Sequence, residues 1–190
     1  MNTDIEQNPT SSVLLQNITI AGTTNQLNIL IQNGNFQEIG SVNTTADIIV
    51  DGSGLWIAPA FIDSHVHFAY LNQPQQMLDG GICAAIDLAS PETFIQTDLS
   101  PMQMKYSGPM ITGANGYPTQ SWGSNGYGIE CSDNVCIEES VEHLSKRGAT
   151  IIKMPAQSLT AEQLEVGATT AHQFGLQTAT HAMNDGYAQT

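Results

Sequence analysis

From Pro59 onward the chain alternates short apolar runs with amphipathic stretches, and this alternation limits the folds open to it. Phe61-Ile62-Asp63-Ser64-His65-Val66-His67 reads as a strand, residues 72–79 as a short helix, and residues 82–88 as a second strand. Residues 109–112, 149–154 and 176–181 supply three more apolar runs of strand length. Residues 135–147 carry an apolar stripe at Ile137, Val141 and Leu144. Glu138, Glu139 and Glu142 lead that segment, and Lys146 and Arg147 close it, the charge order a helix dipole favours. Thr160 is placed to cap a further helix that runs to about Phe174, with Gly175 as its stop. Strands that alternate with helices in this way build a parallel α/β sheet with both faces covered.

Residues 13 to 58 follow a different rhythm. Val13-Leu14-Leu15, Ile18-Thr19-Ile20, Leu27-Asn28-Ile29-Leu30-Ile31 and Ile48-Ile49-Val50 are strand-like runs. They are separated by turn formers such as Asn33-Gly34-Asn35 and Asp51-Gly52-Ser53-Gly54. The expectation is a small, mostly antiparallel β unit over residues 1–58, followed by an α/β unit over residues 59–190.

Of the 190 residues, 18 are acidic and 4 basic, a formal net charge of −14. That balance lacks the cations needed to neutralise phosphates, so nucleic acid is excluded as a partner, and an anionic membrane surface is disfavoured for the same reason. No apolar run reaches the length of a membrane helix. The polar start, Met1-Asn2-Thr3-Asp4-Ile5-Glu6, carries no secretory signal pattern, and the expected compartment is the cytoplasm. Three cysteines are too few for a disulfide-built scaffold. Cys131 and Cys136 could close a small ring, but a cytoplasmic setting predicts reduced thiols. Cys83 is expected to be a small core residue.

Three strand ends carry chemistry. His65 and His67 stand two apart in a strand, so both imidazoles project from one side, with Asp63 below them. Two histidines so placed can grip one metal ion. Lys153 lies inside Ile151-Ile152-Lys153-Met154 although basic residues are scarce. Burial there favours the neutral amine, which can take up carbon dioxide to become a carbamate, a carboxylate-like ligand. His181 ends the last strand-like run, and ligands in α/β folds collect at the carboxyl ends of strands. His143 and His172 fall on helix surfaces and have no expected metal role. The loop after the third strand carries Tyr117 and Trp122, which either line a substrate pocket or pack the loop onto the rim.

Residues 51–67, Asp-Gly-Ser-Gly-Leu-Trp-Ile-Ala-Pro-Ala-Phe-Ile-Asp-Ser-His-Val-His, resemble the entry sequence of the amidohydrolase superfamily. Gly80-Gly81-Ile82-Cys83-Ala84-Ala85-Ile86-Asp87-Leu88 is similar to that family's second barrel strand. The style is closest to the imidazolonepropionase-like and metal-dependent Xaa-Pro dipeptidase branch. The resemblance implies a partial TIM-like (β/α)8 barrel of about five strands, preceded by a small β-sandwich-like unit. It implies hydrolysis of a carbon–nitrogen bond in an amide, cyclic amide or dipeptide, with one or two zinc-like ions. His65 and His67 would hold the first ion; Lys153, carboxylated, would bridge to a second held by His181. Asp63 would fill or support. Two departures stand out: Ala60 replaces the usual glycine, and Ala85-Ile86 stands where an arginine often precedes the aspartate.

The family also places a histidine on strand six and an aspartate on strand eight, and neither is present here. One expectation is therefore an amidohydrolase portion that acts on a small molecule. The competing one is a non-catalytic fragment, or half of a split enzyme that needs a complementing chain or a homo-oligomer, and the 190 residues alone are expected to be inactive. A zinc-dependent deaminase is disfavoured, because such barrels generally lack the strand-four lysine.

Overall fold

The structure is a computed structural model that describes residues 11–70, 72–183 and Gly186. The polar stretch Met1–Glu6 lies outside them, as do Asn184, Asp185 and residues 187–190, where the start of a further helix is expected. The architecture is mixed α/β, in two compact units, Met1–Pro59 and Ala60–Thr190.

The first unit is one sheet. Its strands are β1 (Ser12–Ile20), β2 (Gln26–Gln32), β3 (Asn35–Gly40), β4 (Ile48–Asp51) and β5 (Trp56–Ile57), in the order β3-β2-β1-β4, with β5 also on β1. Asn33 and Gly34 form the two-residue β2–β3 turn with φ of 51° and 73°, the doubly positive geometry that Asn-Gly favours. The two runs 13–15 and 18–20 are a single strand. A register shift between Leu15 and Ile18, with Asn17 at φ 57°, bulges it, and Asn17 N–H donates to Asn28 Oδ1 at 3.0 Å. The pairings β1–β2 and β2–β3 are antiparallel, but β4 and β5 run parallel to β1, a crossover that short apolar runs do not reveal. Leu14, Leu30 and Val42 are buried together on one face.

The second unit contains β6 (Phe61–Val66), α1 (Pro74–Asp79), β7 (Ile82–Asp87), β8 (Gln103–Tyr106), β9 (Met110–Gly113), β10 (Gly128–Cys131), α2 (Asn134–Arg147), β11 (Ile151–Pro155), α3 (Ala161–Gln173) and β12 (Gln177–His181). Every strand pairing in it is parallel: β6-β7-β8, β9-β10 and β11-β12. β8 and β10 are additions to the expected strands. Both are four residues long; β8 reads as polar, and β10 hides in a glycine-rich stretch.

The core of this unit lies under α2 and α3. Ile111, Ile137, Val141, Leu144 and Ile152 are completely buried there with Met154 and Ala171. Each such aliphatic side chain contributes about 1.5–3 kcal/mol by leaving water. Asp133 caps α2 by accepting from Cys136 N–H at 2.9 Å, and Gly148, at φ 97°, ends it. Thr160 and Gln163 make a reciprocal capping box on α3. The Asp133 cap also starts α2 immediately after β10, which brings Cys131 and Cys136 to a Cα separation of 5.4 Å. They form a disulfide, contrary to the expectation of reduced thiols. Cys83 is likewise not a core residue. It shares a face with buried Ala85 and Asp87 but lies at the start of β7, where that face opens to solvent.

Candidate functional site

His65 is the penultimate residue of β6, and Asp63 Oδ1 accepts its backbone N–H at 3.0 Å. Asp63 therefore fixes the strand end that carries the histidine. His67 follows directly, with its ring centroid 5.2 Å from that of His65. Its Nδ1 lies 3.2 Å from the Ala89 carbonyl, which can only accept, so Nδ1 carries the proton and Nε2 keeps its lone pair. Ala89 is buried at φ 144°, a region that favours glycine, and this strained backbone aims the carbonyl at the ring.

Lys153 sits in the middle of β11 and is 2% exposed. Its Nζ reaches only the Thr180 carbonyl, at 3.4 Å, and no carboxylate pairs with it among the described residues. Burial holds its pKa below the ordinary lysine value. His181 ends the neighbouring strand β12, opposite Pro155.

The three imidazoles and Lys153 act on one another. Burial lowers the pKa of His65, and the charges of Lys153, His67 and His181 lower it further, against the opposing pull of Asp63. The His65 side chain still reaches solvent, so its desolvation comes from the protein mass under the ring. Burial leads the lowering of His67, opposed by the Ala89 bond and helped by Lys153. Burial also leads for His181, followed by Lys153 and His67. These shifts favour the neutral form of each imidazole, the form that metal binding requires, and disfavour the charged form of Lys153. Among the described residues, however, no three His, Cys, Asp or Glu side chains are gathered closely enough to hold a metal ion. The rings are engaged elsewhere: His181 stacks on Tyr117, its Nε2 lies 3.2 Å from Met183 Sδ, and His67 meets Trp122.

The loop between β9 and β10 covers this end of the unit. Tyr117 stacks on the His181 ring at 4.5 Å, and Trp122 lies 5.2 Å from the His67 ring while its Nε1–H donates to the Tyr117 hydroxyl at 2.8 Å. Glu130 ties the loop down. It accepts from Asn115 N–H at 3.0 Å, from the Thr119 hydroxyl and from Gln120, and these bonds hold its pKa low. Ser158 Oγ accepts from Tyr117 N–H at 3.0 Å. Gly113 and Gly116 press against Ser158, where a Cβ would collide. His67, Tyr70, Tyr117 and Trp122 line an open pocket of about 310 Å³. A larger groove of about 570 Å³ runs between α2 and α3, on the helical side and lined by four glutamates, away from the histidines.

Reasoning from sequence missed Tyr70 and Tyr127, which pack at 6.2 Å and 5.3 Å from Trp122, and it missed the role of Asp87. Asp87 is fully buried. Its Oδ2 accepts from Phe68 N–H at 2.9 Å and so ties down the turn after His67, while Oδ1 has no hydrogen-bond partner among the described residues. Burial raises its pKa to about 6, against the hydrogen bond from Phe68. An acidic residue inside Ala85-Ile86-Asp87-Leu88 is the same signal that marks Lys153. Ala89 leaves no sequence trace.

No family model matches the chain, and no curated protein matches it. Solved structures match its fold. One described as an amidohydrolase superposes with a TM-score of 0.72 at 17% identity, over 93% of this chain and 57% of that one. A prolidase complexed with N-methylphosphonate-L-proline gives 0.76 at 15% identity, over 93% and 57%. A Xaa-Pro dipeptidase with methionine bound in its active site gives 0.70 at 13% identity, over 94% and 58%. The chain thus shares its fold with these proteins and spans less than three fifths of their length.

Proposed function

We propose that the chain, built on the fold of these hydrolases, is the metal-bearing portion of an amidohydrolase-type enzyme that cleaves a carbon–nitrogen bond in an amide, cyclic amide or dipeptide. The observation that carries this reading is Lys153: a buried amine with no carboxylate partner among the described residues, whose charge acts on three histidines at strand ends. Such a group is costly to bury unless it serves the site. The consecutive parallel pairs β6-β7-β8, β9-β10 and β11-β12 are read as a partial (β/α)8 barrel wall, and the first unit as part of a β-sandwich.

In this reading His65 and His67 would hold a first zinc-like ion, and His181 a second. Lys153, on adding to carbon dioxide with loss of one proton to solvent, would offer a carboxylate-like ligand beside them. Ions so held would supply Lewis-acid chemistry, polarising a carbonyl and lowering the pKa of water toward about 7. The chain's own residues do the rest. Ala89 keeps the His67 ring oriented, Asp63 fixes the strand beneath His65, and the Tyr117–Trp122 pair shields the site from bulk water.

The test is zinc stoichiometry by elemental analysis on the purified chain, with and without bicarbonate, together with hydrolysis of a dipeptide and cyclic-amide panel. Lys153→Ala is expected to lose zinc that bicarbonate does not restore. Full zinc content in that variant would remove the bridging role. A second reading, that turnover needs a complementing chain or a second copy, is favoured by β6. Phe61 and Ile62 are each 65% exposed there, and among the described residues β6 pairs only with β7 and β12 only with β11. Metal-dependent turnover by a monodisperse monomer would exclude it.

A further inference from the structure

The Cys131–Cys136 bridge does little for the fold as a whole. It spans five positions, and a ring that short removes few conformations from the unfolded chain. The core under α2 and α3 is built instead by aliphatic side chains, Ile137, Val141 and Leu144 among them. Cys131 contributes to that core by its burial, which a thiol supplies as well as a bridged sulfur does.

The effect of the bridge is local. β10 is four residues long and, among the described residues, pairs only with β9. The bridge ties its last residue, Cys131, to the first turn of α2, and Cys136 Sγ lies 3.8 Å from the Glu130 carbonyl. Glu130 is the residue whose carboxylate gathers the β9–β10 loop through Asn115, Thr119 and Gln120. The loop over the histidines is thus linked to α2 through one side chain and one covalent bond. Its other tie, Tyr117 N–H to Ser158 Oγ, reaches the turn after β11 rather than α2.

The two sulfurs are not equally reachable: Cys131 is 1% exposed and Cys136 is half-buried. An external thiolate therefore attacks Cys136 Sγ. The S–S bond breaks, and Cys131 Sγ leaves with the bonding pair and takes a proton from solvent; the Ser140 hydroxyl, 3.5 Å away, is placed to donate to it. The second thiol of the same reductant then attacks the reductant's own sulfur in the mixed disulfide. That step releases Cys136 in the first turn of α2, where the helix dipole favours an anion until it too is protonated. In sum, two electrons and two protons pass from the dithiol to the protein, and the dithiol ends as a disulfide.

We infer that the Cys131–Cys136 pair is a reversible thiol–disulfide exchange site, opened by a dithiol and closed by a disulfide oxidant, and that its redox state sets how firmly the loop carrying Tyr117 and Trp122 is held. The inference stands apart from the hydrolase reading and needs no metal.

The test uses the whole chain with Cys83→Ser, which leaves the pair as its only cysteines. Alkylation followed by mass measurement counts thiols under native conditions. None is expected after oxidised glutathione and two after dithiothreitol, with the cycle repeatable. In the reduced chain the Asn115 and Thr119 amides should exchange hydrogen at least about fivefold faster by NMR, while Val141 and Leu144 in α2 stay within about twofold. A chain that also carries Cys131→Ser and Cys136→Ser should show the fast loop rate under both conditions. Thiols that appear only in denaturant, a pair that does not close under oxidised glutathione, or a reduced chain with unchanged loop exchange each overturn the inference. Equal acceleration in the loop and in α2 also overturns it, because the bridge would then be a staple of the whole unit. Zinc content and turnover do not enter the readout, so this inference and the hydrolase reading fail separately.

Discussion

β6 and β11 each carry residues of the candidate site, yet they are held in opposite ways. All five residues of β11 are buried, Lys153 among them, between β12, β9 and the helices α2 and α3. β6 exposes most of its residues, including Phe61 and Ile62, and has one strand neighbour among the described residues. Stability and site position are therefore separate in this unit. The lysine is fixed by the best-packed core in the molecule, while the histidine pair is fixed by a few directed bonds: Asp63 to the His65 backbone, Ala89 to the His67 ring and Asp87 to the turn behind it. Segments with few buried contacts open first, so hydrogen exchange should be far faster along β6 than along β11.

The sharpest test is in the core. Leu144→Ala leaves a cavity at a fully buried position in the cluster that holds Ile111, Ile152 and Met154, and should cost about 2–5 kcal/mol by urea unfolding. A loss below about 1 kcal/mol would mean that the core is not the organising region. Asp87 comes next. Its carboxyl is raised from 3.8 to about 6 in the folded state, so the fold resists ionising it. The unfolded chain ionises first, and stability should fall as pH rises from about 4 to 6, by an amount on the order of 3 kcal/mol. Asp87→Asn, which keeps an acceptor for Phe68 N–H, should flatten that slope. An unchanged slope would place its origin elsewhere.

Lys153→Met removes a buried amine and keeps the volume. It should raise stability near neutral pH by about 1 kcal/mol while abolishing any metal retention that depends on the lysine. Because the folded-state pKa of Lys153 lies below the ordinary value of 10.5, the parent chain should gain stability as pH rises through that depressed value toward 10.5, and the variant should not. The smallest effect is expected on β6: Phe61→Ser should change stability by less than about 0.5 kcal/mol, and a cost like that of Leu144→Ala would erase the contrast.

Much of this contrast could be read in the sequence. The stripe Ile137, Val141, Leu144, the Thr160 cap and the stop at Gly175, at φ 71°, express local rules, and the structure follows them. Lys153 was conspicuous because its type contradicted its neighbours. What escaped depends on contacts between distant segments. The pairing of β4 and β5 with β1 is set by a crossover, the short strands β8 and β10 are defined by partners rather than by composition, and Tyr70 and Tyr127 gain meaning only when the loop folds over His67. A cytoplasmic setting predicts reduced thiols, whereas the short reach from β10 into the first turn of α2 brings Cys131 and Cys136 together.

The bond between Ala89 and His67 bears on timing. A free imidazole samples two tautomers and several rotamers, and whatever it captures must select one and forgo the rest. Here the selection is complete before any ligand arrives. The strained backbone at Ala89 freezes the ring while the chain folds, so the entropy of orienting it belongs to folding rather than to capture. A group that approaches Nε2 meets a nitrogen already aimed, and its capture does not wait for the ring to turn.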